Sequence, residues 1–311
     1  MATVPTPLRD PLLVAVWPGM GSVALLAGSY LAQQLSARRV AELDARHFFQ
    51  LQSVEVKNGL ASMADLPRSM FLEWRDPNQR HDLLIFIGEA QPERGGYTLC
   101  QQLLDYAVSR GVTRFFTFAA MATQLHPSVA PRTFAVATDP AALADLKKLD
   151  VTLLKTGQIS GLNGILLGAG AERGLSGMCL LGELPFFAVA VPNPAAAKVV
   201  LERFSEFAGI ELDLIELSEQ AKAVESQLTA LLEQLQAASG ESEEPEEEEP
   251  PQAAAPAEPT KLDPRTARRI EQLFQQAKQD HGKVFELKRE LDRLKLFKQY
   301  EDRFLDLFKA E

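Results

Sequence analysis

Two glycine-containing loops carry residue types that could bind a small ligand. The first is WPGMG, Trp17 to Gly21, and the second is GQISGLNG, Gly157 to Gly164. Each lies between an apolar run and a helical pattern, and backbone N–H groups at a helix N-terminus can hold an anion. The first loop lacks the third glycine of a dinucleotide fingerprint and the Lys-Ser/Thr ending of a P-loop, and Ser160 does not lie in a G-x-S-x-G elbow. We therefore favour glycines that serve tight turns and close packing.

Two glutamates follow predicted strands and offer acid/base chemistry. They are Glu89 in GEAQP and Glu183 in GELP. A pair facing one crevice would suit proton transfer, whereas each alone would accept backbone N–H bonds at a strand end. We favour the second reading because no histidine accompanies them at metal-ligand spacing. The four histidines are scattered, at positions 47, 81, 126 and 281. The sequence predicts no catalytic residue, no metal site and no cofactor.

The two loops could still converge, because ligands in open α/β sheets bind at the carboxyl ends of the strands. The candidate crevice comprises Gly19, Met20, Gly21, Glu89, Ser160, Asn163 and Glu183. It supports an alternative function, a small-molecule or nucleotide-type binding protein or enzyme.

Short apolar runs alternate with helical patterns from Leu12 to about Leu217, which is typical of an α/β fold. DLLIFI at 82–87, a helix and the run 115–119 indicate a βαβ unit with parallel strands. A second such unit is predicted from the run 151–154, a helix at 161–173 and the run 178–181. We expect a three-layer α/β/α sandwich with a mostly parallel or mixed sheet, followed by a C-terminal helical extension.

Heptad spacing begins where this alternation stops. The residues expected to form an oligomer or partner seam, in the manner of a short coiled coil, are Leu217, Val224, Leu228, Leu231, Leu235, Leu287, Leu291 and Leu294. Between the two groups of leucines lies a Pro/Glu/Ala-rich segment that cannot form a core. The predicted organisation is a disordered N-terminus at 1–10, an α/β domain at 11–236, an acidic linker at 237–262 and an amphipathic tail at 263–311. The tail is either one long helix or a helical hairpin broken near Gly282.

Most of the net charge of −10 comes from one segment of the chain. Residues 237–260 contain eight glutamates and no Lys or Arg, and without those glutamates the net charge would be −2. A near-neutral body with no basic cluster predicts no nucleic-acid partner. No apolar run is long enough to span a membrane, and the start of the sequence lacks signal-peptide features, so we expect a cytoplasmic protein with no membrane contact. Cys100 and Cys179 have no C-x-x-C partner, which disfavours zinc or a disulfide framework.

Several motifs together resemble one family. WPGMG, GEAQP, the TDP at 138–140 and above all GQISGLNGILLGAGAERGLSGMCLLGELP at 157–185 are similar to the proteasome assembly chaperone two family and its archaeal and bacterial relatives, over about 11–217. The resemblance implies a phosphorylase/hydrolase-like three-layer fold, a tendency to form homo-oligomers and no established catalytic residue.

These observations predict a non-enzymatic assembly chaperone or scaffolding protein. We expect it to act through homo-oligomerisation and protein–protein contacts, with an unknown protein partner bound through the C-terminal tail. Mixed charges along the tail, such as Lys288, Glu290 and Arg293, favour that protein partner over an anionic membrane.

Overall fold

The central sheet is built on apolar runs, and the strands Leu12–Val16 and Leu83–Gly88 are buried along their whole length. The computed structural model describes residues 6–50, 54–240 and 269–275, together with residues 287, 290 and 291. The strands in this part of the chain are β1 (Leu12–Val16), β2 (Arg38–Glu42), β3 (Val54–Lys57), β4 (Leu60–Met63), β5 (Ser69–Trp74), β6 (Leu83–Gly88), β7 (Arg114–Thr123), β8 (Thr133–Ala137), β9 (Thr152–Leu153) and β10 (Ser176–Pro185). Eight of them form one sheet in the order β2-β5-β6-β1-β7-β10-β8-β9, and β3 pairs with β4 alone.

The middle of the large sheet is parallel and its margins are not. Strands β6, β1, β7 and β10 run in one direction. Strand β5 pairs antiparallel with β6 and β8 pairs antiparallel with β10, so the sheet is mixed. The first predicted βαβ unit is present, with β1 lying between its two strands. The second is wrong, because β9 is parallel to β8 and therefore runs against β10.

Helices cover both faces of the sheet, as expected from the alternation along the chain. They are α1 (Val23–Gln34), α2 (Gly96–Ser109), α3 (Pro140–Leu146), α4 (Gly161–Glu172), α5 (Pro194–Ala208) and α6 (Ile215–Gly240). Because successive side chains of a strand point to opposite faces, Val14 and Val16 join a core with α1, α3 and α5, whereas Leu13 and Trp17 join a core with α2 and α4. The predicted three-layer α/β/α architecture is confirmed.

Two of these helices begin with a side-chain cap followed by proline. The carboxylate of Asp139 accepts hydrogen bonds from the N–H groups of Ala141 and Ala142 at the start of α3. The Asn193 Oδ1 atom accepts one from Ala196 N at 2.9 Å at the start of α5. Proline fits the first helical turn because the N–H that it lacks has no partner there. Helix α4 differs, since its N-cap Ser160 makes no side-chain cap bond.

The N-terminal segment is held more firmly than the sequence suggests. Arg75 donates hydrogen bonds to the carbonyls of Thr6 and Pro7, at 2.7 and 2.6 Å, and the backbone N–H of Arg9 donates to Asp82 at 2.8 Å. These hydrogen bonds attach residues 6, 7 and 9 to the first unit. Cations and carboxylates distant in sequence pin this segment, and no local pattern reveals them.

The chain divides into two compact units, Met1–Glu243 and Glu244–Glu311. In the second unit residues 269–275 are helical, and Arg269 Nε lies 3.4 Å from Glu290 Oε1. One straight helix would separate these residues by about 30 Å at 1.5 Å per residue. Arg269 and Glu290 are therefore closer than a single straight helix would place them.

Candidate functional site

The turn after β1 has two consecutive left-handed residues. Gly21 has φ 58° and Ser22 has φ 50°, whereas Gly19 is extended. Gly21 also lies too close to its neighbours for a side chain, because an added Cβ would lie 2.6 Å from the Leu184 side chain. Its N–H donates to Val189 O at 2.7 Å. Gly21 is thus required by backbone conformation and packing.

The N-terminus of α4 is tied to this turn by one amide side chain. Gln91 Oε1 accepts a hydrogen bond from Leu162 N at 2.8 Å, and Gln91 Nε2 donates to Pro18 O at 2.5 Å. Gly161 has φ 73° and leaves room for this clamp, since an added Cβ would lie 2.8 Å from Gln91 Oε1. The two glycine-containing loops are therefore held at a fixed separation.

A crevice of about 280 Å³ lies between the two loops, above the carboxyl ends of β7 and β10. Four of the seven residues predicted for a ligand site line it, namely Gly19, Met20, Ser160 and Asn163. Alanine, methionine, isoleucine and leucine side chains form most of the remaining wall, with Gln91 and Gln158 as further polar groups. Gly21, Glu89 and Glu183 are not among the residues that line it.

Asn163 is a buried polar residue whose oxygen has no partner. Its side chain is 5% exposed, and its Oδ1 atom accepts no hydrogen bond in the structure. Its Nδ2 atom approaches Gly19, at 4.0 Å from the position that a Cβ would occupy there. A buried acceptor without a donor destabilises a fold by about 1–3 kcal/mol. Such groups in a folded protein call for a specific explanation.

Glu183 has its carboxylate fully engaged at another place. Arg132 donates to it through Nη2 at 2.6 Å, Nε at 2.9 Å and the backbone N at 3.0 Å, and the Thr123 hydroxyl donates at 2.8 Å. The hydrogen bonds from the Arg132 side chain lower the pKa of Glu183 to about 2, although burial opposes them. Glu183 joins β7, β10 and the start of β8, and it is ionised at neutral pH.

Glu89 holds a different pair of strands. Its carboxylate accepts hydrogen bonds from Arg68 N at 2.9 Å and from Arg68 Nε and Nη2 at 3.1 and 3.0 Å. The bond from the Arg68 backbone, opposed by burial and aided by the guanidinium, lowers the pKa of Glu89. Strands β1 and β7 lie between β6 and β10, and at ~4.8 Å per strand these two carboxylates are roughly 14 Å apart across the sheet. The structure does not bring them together as an acid/base pair.

The thiols are buried and unreactive in this environment. Burial raises the pKa of both Cys100 and Cys179 to about 12, and neither forms a disulfide. A thiol with so high a pKa is a poor nucleophile, because the thiolate is the reactive form. Among the described residues, no cluster of three His, Cys, Asp or Glu side chains is placed to hold a metal ion.

The predicted seam along α6 turns partly toward its own domain. Leu217 is 1% exposed and belongs to the core that α1 and α5 share, and Leu228 is 4% exposed. Val224 and Leu228 line a groove with the loop at residues 125–131. Leu231 is 38% exposed, and Leu235 lies in the helix. In the second unit Leu287 and Leu291 are buried, while Leu294 lies outside the described residues.

The hairpin β3–β4 is an apolar surface that the sequence interpretation missed. Its strands meet at Asn58-Gly59, both with positive φ, and the pairs Val54–Met63 and Val56–Ala61 alternate with Glu55–Ser62 and Lys57–Leu60. Val54, Val56 and Met63 are 54%, 68% and 62% exposed. An Asn-Gly pair between alternating residues is the signal that could have found it. The clamp residue Gln91 lay within the quoted GEAQP but was not singled out.

No helix in the described ranges is long and apolar enough to cross a membrane.

Comparison with known proteins gives consistent matches over the first unit. The model of the PAC2 family matches residues 13–232, which confirms the resemblance noted from the motifs. An uncharacterised protein of Methanocaldococcus jannaschii is 27% identical over 224 residues, covering 70% of this chain and 82% of that protein. The crystal structure of Pyrococcus furiosus PbaB, described as an archaeal proteasome activator, aligns with a TM-score of 0.62 at 28% identity, over 73% of this chain and 96% of PbaB. Pyrococcus furiosus PbaA, described as an archaeal homolog of proteasome-assembly chaperone, shares the fold with a TM-score of 0.57 at 22% identity, over 76% and 98% of the two chains.

Proposed function

Because the chain belongs to the PAC2 family, we propose that it is a non-enzymatic assembly chaperone or scaffolding protein, acting in the cytoplasm through homo-oligomerisation and protein–protein contacts. PbaB, described as a proteasome activator, and PbaA, described as a homolog of proteasome-assembly chaperone, support a role in protein assembly. The observation that carries the proposal is the exposed apolar face of the β3–β4 hairpin.

Among the described residues, none covers the apolar face of this hairpin. Side chains alternate along each strand, so Val54, Val56, Ala61 and Met63 share one face, and the other face carries Glu55, Lys57, Leu60 and Ser62. An isolated two-stranded hairpin is marginally stable in water. Burying one Val or Met side chain stabilises by about 1.5–3 kcal/mol, so a second surface laid on this face would stabilise the hairpin and the complex together.

We assign that second surface to another copy of this chain. The four residues of the face are uncharged, while Glu55 and Lys57 on the opposite face pair with each other at 2.6 Å. The face therefore offers no charge for steering or selecting a partner of different composition. Two identical apolar strips related by a two-fold axis are complementary to each other, as in most homodimers.

The engaged carboxylates argue against acid/base catalysis at the strand ends. Glu183 is held by Arg132 and Thr123, with its pKa at about 2, and Glu89 is held by Arg68. A general acid or base works best with a pKa near the operating pH. Both carboxylates therefore act as structural links between strands.

The C-terminal unit is the second part of the proposal. Its buried leucines and mixed charges favour a protein-contact module tethered by the acidic segment, which recruits a partner complex. Pull-down from native lysate with the full chain and with a variant lacking 237–311 tests this. We expect partners that are lost with the tail; identical partner lists would remove the tail from the mechanism.

Light scattering on the full chain tests the hairpin contact. We expect an oligomer for the wild type, a smaller species for the double variant Val56→Lys/Met63→Lys, and an unchanged oligomer for the control Ser62→Lys on the opposite face. A monomeric wild type, or a double variant that assembles normally, would contradict the proposed contact.

A further inference from the structure

The crevice between the β1–α1 turn and α4 combines an unpaired buried amide oxygen with an uncharged lining. We propose that it is a binding site for an uncharged nucleobase-type molecule, either a free base or a nucleoside. The site is separate from the hairpin and from α6, so it does not depend on the proposed assembly role.

The crevice is organised before any ligand arrives. Gln91 bridges Pro18 O and Leu162 N, which fixes both walls, and Gly161 has the left-handed conformation that lets this clamp close. Ser160 caps α4 without a side-chain bond, so its hydroxyl is available at the mouth. A preformed cleft of this kind lowers the entropic cost of binding.

Asn163 supplies the recognition element. Its side chain is 5% exposed and lines the crevice, and its amide carries a donor and an acceptor side by side, of which the Oδ1 atom is itself buried in the orientation described. That pattern pairs with the adjacent donor and acceptor on the edge of a nucleobase, as Asn does with adenine. The assignment of oxygen and nitrogen in an amide follows from its hydrogen bonds, so rotation of the amide by half a turn lets either atom face the ligand.

The lining excludes charged ligands in favour of neutral ones. Polar contacts come from the amides of Asn163, Gln91 and Gln158 and the Ser160 hydroxyl, and no charged side chain lines the crevice. A phosphate or carboxylate buried there would lack a countercharge, which is strongly unfavourable. The apolar wall, including Met121 and Leu181, suits the faces of a planar ring.

The volume sets the size of the ligand. At about 280 Å³ the crevice is slightly smaller than most small-molecule sites, which span roughly 300–1,000 Å³. This accommodates a base or a nucleoside and leaves no room for a dinucleotide.

Thermal shift and calorimetry on the full-length protein test the proposal. The uncharged probes are adenine, adenosine, cytidine and uridine, and the charged arms are AMP and ATP. We expect at least one uncharged probe to bind saturably and to raise the melting temperature by several degrees at high excess, with weaker binding of its phosphorylated form. No binding of any uncharged probe, or binding of AMP and ATP alone, would overturn the proposal; a crevice that holds only water gives the first of these results.

Two variants on the same helix locate the binding. Asn163→Leu removes the amide while keeping a side chain of similar size, and we expect it to weaken binding at least tenfold, as for a lost bidentate pair. Gly168→Ala is the matched control, because its added Cβ meets nothing within 4 Å and it lies outside the crevice. Unchanged affinity in Asn163→Leu, or equal loss in Gly168→Ala, would place the ligand elsewhere and refute the assignment. Neither result bears on the assembly role, which is measured by light scattering.

Discussion

Asn163 and Glu183 are both buried polar side chains near the carboxyl edge of the sheet, but their oxygens meet different surroundings. Glu183 accepts hydrogen bonds from Arg132 and Thr123 on both of its oxygens, whereas the Asn163 oxygen accepts none. The sequence interpretation treated them alike, as two members of one crevice. The complete pairing of Glu183 indicates a structural link, whereas the unpaired Asn163 oxygen calls for a separate explanation, which the proposed ligand site supplies.

The strongest way to test the structural half of this comparison is to remove the carboxylate with Glu183→Ala. The variant loses four hydrogen bonds and leaves a cavity where three strands meet, so we expect the free energy of unfolding to fall by about 3 kcal/mol. Chemical denaturation measures it. A loss under about 1 kcal/mol would mean that Arg132 and Thr123 find equally good partners without Glu183.

Acid provides a second test of the same link. The pKa of Glu183 is about 2 in the folded protein and 4.5 in its ordinary state, so its contribution is complete above pH 4.5 and is lost as the pH falls toward 2. The shift corresponds to about 2 kcal/mol after a reduction for the solvent exposure of the Arg132 side chain, which is 61% exposed.

Above pH 4.5 we expect the wild type to have a larger free energy of unfolding than Glu183→Gln, and we expect this difference to shrink as the pH falls toward 2. Denaturation at a series of fixed pH values measures the difference. A constant difference would show that the carboxylate charge contributes nothing to the link.

The variant Asn163→Leu, compared with Asn193→Leu, tests whether the Asn163 oxygen is unpaired, as the proposed ligand site requires. Both asparagines are 5% exposed, but the Asn193 oxygen caps α5 and the Asn163 oxygen is unpaired. Without ligand, we expect Asn163→Leu to stabilise the protein by about 1 kcal/mol, because an unsatisfied acceptor disappears, and Asn193→Leu to destabilise it by about 1–2 kcal/mol.

Thermal unfolding measures both effects: we expect a higher melting temperature for Asn163→Leu than for the wild type, and a lower one for Asn193→Leu. If Asn163→Leu were destabilising to the same degree, the Asn163 oxygen would have a partner in solution, and the contrast with Glu183 would disappear.

The parts of this site that the sequence predicted are those fixed by local pattern. Apolar runs and the helical periodicity placed WPGMG and GQISGLNG after strands, and the carboxyl-edge rule then brought Gly19, Ser160 and Asn163 to one crevice. The features that the sequence did not predict depend on contacts between residues that are far apart in the chain. Arg132 and Arg68 bind glutamates 51 and 21 residues away, and the direction of β9 follows from its pairing with β8, none of which periodicity records.

The second glutamate sharpens the comparison and carries the smallest expected effect. Glu89 is bound by Arg68 through nearly the same geometry as Glu183 by Arg132, but its side chain is 38% exposed instead of 1%. Water competes for its oxygens, and exposed ion pairs contribute about 0–1 kcal/mol. We therefore expect Glu89→Gln to lower the free energy of unfolding by less than about 1 kcal/mol in the same denaturation experiment, well below the effect of Glu183→Ala. If Glu89→Gln and Glu183→Ala lowered the free energy of unfolding equally, burial would not explain the difference between the two carboxylates. The hydrogen bond from the Arg68 backbone would then have to account for most of the stabilisation at Glu89.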